Sequence, residues 1–169
     1  MMATNRIRVD LAHSNHNLVG LALCVLSEVC TPELASELHK EVLKCVSSSN
    51  KFVKKKAILT SIKLLKKAPE YLPDFLAEVL RSLEDKNHGV LLGVFAFLEN
   101  ALSIDESKAE ELVEVMPRIA AVYRQIANEY NSEYEISGVQ DPFLQVAILR
   151  FLRALKKCTD SPLFMKNYG

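Results

Sequence analysis

Four segments of the chain carry one helical pattern in register, and that recurrence restricts the fold more than any other feature. With Leu18, Val53, Val90 and Leu144 aligned, the positions four later are Ala22, Ala57, Val94 and Ile148, and those eight later are Leu26, Ser61, Leu98 and Leu152. The first two intervals are 35 and 37 residues; the third is 54, lengthened by extra chain around residues 130–141. Helical units repeating at such a period cannot bury their apolar faces alone and must stack on one another. The predicted fold is all-α, an α-α superhelix of the HEAT or armadillo-like kind, with about four helical repeats over residues 1–169. A compact helical bundle is the alternative.

Local signals divide the chain accordingly. In "LVGLALCVLSEV", Leu18, Leu21, Ala22, Val25, Leu26 and Val29 follow helical spacing and are the expected packing face. Thr31-Pro32-Glu33 supplies an N-cap, a proline at the first helical position and an acid in the first turn, so a helix is predicted over 32–46. "SSSN" interrupts, and the next helix runs from Lys51 to just before Ala68-Pro69, because a residue preceding proline resists helical geometry. Further helices are predicted over 70–83, 90–102 and 107–129, with Pro117 either kinking the last of these or starting a new one. Residues 130–141 form the longest non-helical stretch, the apolar face of "PFLQVAILRFLRAL" is expected to pack on neighbouring repeats, and "SPLFMKNYG" begins a further helix. Five glycines and no tryptophan, amid long runs of Leu, Ala, Glu and Lys, argue against sheets.

Charge and cysteine content narrow the function. Lysine plus arginine equals aspartate plus glutamate, 21 each, so no global field drives the chain onto nucleic acid or an anionic membrane, and an electrostatic partner must meet a local patch. Cys24, Cys30, Cys45 and Cys158 form no CxxC pair and sit in apolar helical contexts, which reads as reduced, packed thiols. The N-terminus lacks an apolar signal core and no apolar run is long enough to cross a bilayer, so the chain is expected to be cytosolic. There is no phosphate-binding glycine loop, dinucleotide fingerprint, zinc-protease motif or nucleophile elbow. His13 and His16 lack carboxylate or thiolate neighbours for a metal, and Glu106, Glu110, Glu111 and Glu114 read as a solvated helix start. Neither catalysis nor a cofactor is expected.

The most informative charge feature is "KFVKKKAILTSIKLLKK", which holds seven lysines and no acid: Lys51, Lys54, Lys55, Lys56, Lys63, Lys66 and Lys67. Lys55, Lys56, Lys63, Lys66 and Lys67 fall within about 120° of one helical wheel, with stems able to cover Phe52 and Leu59. The stripe is either an ordinary solvated face or a docking face for an acidic protein surface or a phosphoinositide headgroup, where each positive charge adds about 1 kcal/mol. Nucleic acid is disfavoured by sparse aromatics and zero net charge.

The stretches "HSNHNLVGLALCVLSEV", "SSNKFVKKKAILTSI", "PDFLAEVLRSLEDKNHGVLL" and "DPFLQVAILRFLRAL" together resemble the trunk of the gamma-adaptins, large subunits of the clathrin adaptor of the trans-Golgi network and endosomes. The resemblance runs in register over about residues 9–160. Lys55-Lys56-Ala57 is shared with other adaptin large subunits, whereas Ser137-Gly138 followed by Asp141-Pro142-Phe143-Leu144-Gln145-Val146 is similar to the gamma type. Residues 101–115 depart from the family pattern. The resemblance implies a piece of a longer trunk, without hinge or ear domain, that acts as a non-enzymatic scaffold. Its implied partners are the small, medium and beta-type large adaptor subunits and an Arf-type GTPase. Its implied location is cytoplasmic, peripheral on trans-Golgi and endosomal membranes and clathrin-coated vesicles, with membrane association through the complex. Arg150, Arg153, Lys156 and Lys157 then become candidate contacts to partner subunits or anionic surfaces. A nuclear transport or phosphatase scaffold, or a phosphoinositide-binding helical module, would share the periodicity.

Overall fold

A computed structural model describes residues 2–128 and 133–160, and the chain divides into two compact units, Met1–Ser82 and Leu83–Gly169. The first contains α1 (Met2–Leu11), α2 (His16–Val29), α3 (Pro32–Val46), α4 (Lys51–Leu65) and α5 (Leu72–Arg81). The second contains α6 (His88–Ile104), α7 (Ala109–Glu114), α8 (Met116–Asn128), a two-residue hairpin β1 (Glu135–Ile136) and β2 (Val139–Gln140), and α9 (Pro142–Thr159). Short 3-10 turns cover Pro69–Tyr71, Ser82–Glu84 and Glu106–Lys108.

In the first unit α1 packs on α2 and α3, α2 on α4, α3 on α4 and α5, and α4 on α5. This is the two-layer stacking of a helical repeat, where one layer takes alternate helices. Leu23, Leu26, Leu38, Val46, Ile58, Leu64, Phe75 and Leu76 are fully enclosed. The Ser61 that interrupts the aligned apolar positions is also buried, and its hydroxyl donates to the Ile58 carbonyl at 2.7 Å. Thr60 donates to the Leu23 carbonyl at 3.1 Å, joining α4 to α2 without an unsatisfied polar group. In the second unit α9 packs along α6 and receives α7 and α8, with the Phe95 and Phe151 rings 6.1 Å apart at its centre.

The all-α repeat class is as expected, and α2, α4, α6 and α9 hold the four aligned segments. Other expectations need correction. The sequence reading assigned no helix before residue 16, yet α1 exists, held by buried Ile7 and Leu11 and by Arg8, whose guanidinium reaches Glu41 at 3.1 Å and the Glu37 carbonyl at 3.0 Å. The expected packing face of α2 is rotated: Val19, Ala22, Leu23 and Leu26 are buried, while Leu18, Leu21, Val25 and Val29 are exposed. On α9, Leu144, Ile148, Phe151 and Leu155 pack, but Phe143, Val146 and Leu149 do not. The helix expected over 107–129 breaks at Val115, and Pro117 lies in the first turn of a new helix. The helix expected over 70–83 is α5 bracketed by 3-10 turns. The stretch 130–141 lies partly outside the described residues, and its described part carries the hairpin. The helix expected in "SPLFMKNYG" lies wholly outside them.

Candidate functional site

The lysine stripe belongs to the first unit and is built by α4. Asn50 caps that helix by accepting from the Val53 amide at 3.1 Å, so Lys51 becomes its first residue and Lys66 its C-cap, with Lys67 in the following turn. Lys51, Lys55, Lys63, Lys66 and Lys67 are exposed, and Lys54 and Lys56 are half-buried. Lys63, Lys66 and Lys67 lie where the carbonyl end of the helix dipole favours cations. The Lys56 ammonium stands 5.9 Å from the Phe52 ring centroid.

Arg150, Arg153, Lys156 and Lys157 belong to the second unit and are all exposed on α9. They line a cleft of about 700 Å³ together with Glu99, Glu106 and Asp160. Arg150 pairs with Glu99 at 3.3 Å. Three carboxylates among four cations make this a mixed surface, less suited to a polyanion than the acid-free stripe on α4.

The start of α9 is the most constrained polar site. Asp141 holds a left-handed conformation (φ 35°) and accepts from the Leu144 amide at 3.0 Å, capping the helix. Its other oxygen meets His88 Nδ1 at 2.7 Å, and its own amide donates to the Tyr134 carbonyl at 3.0 Å. The Tyr134 ring stacks on His88 at 4.2 Å. Ser137 and Gly138 supply the positive-φ turn between β1 and β2 (52° and 82°), and Gln145 donates to the Gln140 carbonyl at 2.6 Å. Hairpin, α6 and α9 are thereby tied at one point, through the segment whose residues resemble the gamma type. The sequence reading treated "EDKNHG" only as a break and did not pair His88 with Asp141.

The other candidates have structural work. His13 Nδ1 accepts from the Asn15 amide at 2.9 Å just before α2. Glu106, Glu110, Glu111 and Glu114 are exposed, and Glu111 lies 3.6 Å from Lys108. All four cysteines are free. Burial, reinforced by Glu41, pushes the Cys45 thiol up to about 11; burial also raises Cys30, against the pull of Lys67, and Cys158, where Glu106 adds to it and Lys157 opposes. These thiols are held protonated, the opposite of a nucleophile's environment. Among the described residues no cluster of metal-ligating side chains occurs, and no helix is long and apolar enough to cross a membrane.

Comparison with known proteins gives this helical surface a lineage. Residues 1–164 match the family described as the adaptin N terminal region. The AP-1 complex subunit gamma of Dictyostelium discoideum is 33% identical over 156 residues, 92% of this chain and 17% of that protein. The AP-1 complex subunit gamma-1 of Arabidopsis thaliana is 36% identical over 157 residues, 92% of this chain and 18% of its own length. The human AP-1 complex subunit gamma-like 2 is 36% identical over 156 residues, again 92% of this chain, and 20% of that protein. The chain spans about a fifth of the length of these relatives. On the match along nearly its whole length, the chain belongs to the adaptin N-terminal region family, where it is similar to AP-1 gamma subunits.

Proposed function

We propose that this chain works as a non-enzymatic scaffold within an adaptor complex, as part of a gamma-type large subunit. The observation that carries the reading is the similarity to AP-1 gamma subunits over 92% of the chain. Stacked helix pairs support it, because they present long helix faces to a partner. On this reading the residues hold a small sigma-type subunit and contribute to assembly with the medium and beta-type large subunits. The complex is recruited by an Arf-type GTPase to trans-Golgi and endosomal membranes and acts in clathrin-coated vesicle transport. The family match favours these partners over those of a nuclear transport or phosphatase scaffold.

Co-expression with the small sigma-type subunit of the same organism, followed by size exclusion, tests the reading. A one-to-one complex is expected. A folded chain that elutes alone, both as given and within a full-length trunk, would sink it.

A further inference from the structure

Helix α4 turns one arc to the core and keeps another for its cations. Val53, Ala57, Thr60 and Leu64 are buried on the inner arc. The outer arc spans about 100° of the helical wheel. Phe52 and Leu59 run along its middle, 46 and 39% exposed, with Lys55 and Lys66 on one flank and Lys56 and Lys63 on the other. Lys55, Lys63 and Lys66 are exposed, Lys56 is half-buried, and no acid lies between Lys51 and Lys67. A Cβ at Gly20 would overlap the Phe52 ring, so the bare backbone there seats that ring against α2 and leaves its remaining edge in solvent. Four cations and two apolar side chains thus share one helix face about 20 Å long.

We propose that this face of α4 is a contact for an anionic phospholipid bilayer, with its lysines at the headgroups and Phe52 and Leu59 in the interfacial layer. Cations interspersed with apolar and aromatic side chains suit such a surface, and each lysine near it strengthens binding about fivefold. A protein interface is the poorer fit, because interfaces enrich arginine and deplete lysine, and every cation of α4 is a lysine. A single soluble phosphate is also poorly matched, since Lys55 and Lys66 stand about 17 Å apart along the helix axis. The inference goes beyond the scaffold reading: it gives the chain a membrane contact of its own, independent of partner subunits.

Sedimentation of the chain with phosphatidylcholine vesicles, with and without phosphatidylserine, tests this. Binding is expected only with phosphatidylserine and should weaken steeply as salt is raised. Lys55→Ala/Lys63→Ala should weaken it about 30-fold, from two lysines at about fivefold each. Phe52→Ala should weaken it severalfold without altering the salt dependence, because apolar contact is not screened. Lys40→Ala/Lys44→Ala, which removes the same charge from exposed positions on α3, should leave binding unchanged. Circular dichroism checks that each variant is folded. A folded wild-type chain that stays in the supernatant with phosphatidylserine vesicles overturns the proposal, as does binding that the α3 variant weakens as much as the α4 lysine variant. If calorimetry shows dissolved inositol hexakisphosphate bound one-to-one by these lysines while Phe52→Ala leaves vesicle binding unchanged, the face is a soluble-polyphosphate site and the proposal fails. Capture of the small sigma-type subunit is measured separately and decides the scaffold reading whichever way the vesicles behave.

Discussion

Asp141 shows how much one side chain can be asked to do. Its carboxylate caps α9, receives His88, and belongs to a residue held at positive φ, a conformation that short polar side chains tolerate better than most. Asp141→Ala should therefore cost about 2–3 kcal/mol in denaturant unfolding, because the cap and the part-buried bond to His88 are lost together. Asp141→Asn keeps a capping acceptor and should cost roughly half as much. At Gly20 the balance differs. Alanine gains about 1 kcal/mol of helix propensity but displaces the Phe52 ring, which is half exposed and can swing away. Gly20→Ala is expected to leave thermal stability within about 1 kcal/mol; a large loss of stability would mean that the ring is more firmly held. Cys45 sets a pH dependence. The folded thiol keeps its proton up to about 11, against an ordinary value of 9.0. Between those two values the folded state binds more protons than the unfolded one, so stability falls as pH rises through that window. The fall should be shallower in Cys45→Val, measured by chemical unfolding across the same range.

At the scale of elements, the repeat is written at helix starts. Asn15, Asn50, Asn87 and Asp141 cap α2, α4, α6 and α9, each three residues before the aligned positions Leu18, Val53, Val90 and Leu144. Asn50 and Asn87 accept from the amides of Val53 and Val90 at 3.1 and 3.0 Å. Asn50→Ala and Asn87→Ala should each cost about 1 kcal/mol in thermal or denaturant unfolding, and more than Asn15→Gly, since glycine at an N-cap costs only a few tenths. These caps were readable as Asx residues at a fixed offset, and Thr31-Pro32 made α3 readable to the residue. The buried face of α2 was not. Two overlapping stripes of that helix, which share Ala22 and Leu26, both satisfy a helical period, and the packing of α1 and α4 selects between them. Helix α1 was missed because two buried residues, Ile7 and Leu11, are too few to mark a periodic face without a neighbour.

For the molecule as a whole, zero net charge and an isoelectric point near 6.9 coexist with exposed aliphatic stripes on α2 and α9. Light scattering should show self-association greatest near neutral pH and falling as the pH is raised, because repulsion between copies is weakest at the isoelectric point. No change across that range would mean that the stripes do not govern association. By itself the sequence determined the all-α repeat class, the breaks that follow α2, α3, α4 and α5, the acid-free lysine stripe and the gamma-adaptin likeness, since each of these depends on order along the chain. Tertiary structure alone decided which stripe of α2 faces water, that His88 meets Asp141 at a sequence separation of 53, and that carboxylates stand among the cations of α9. The physical reason is the same in each case: burial and pairing depend on neighbours distant in sequence, and a helical period constrains a face without naming what will pack against it.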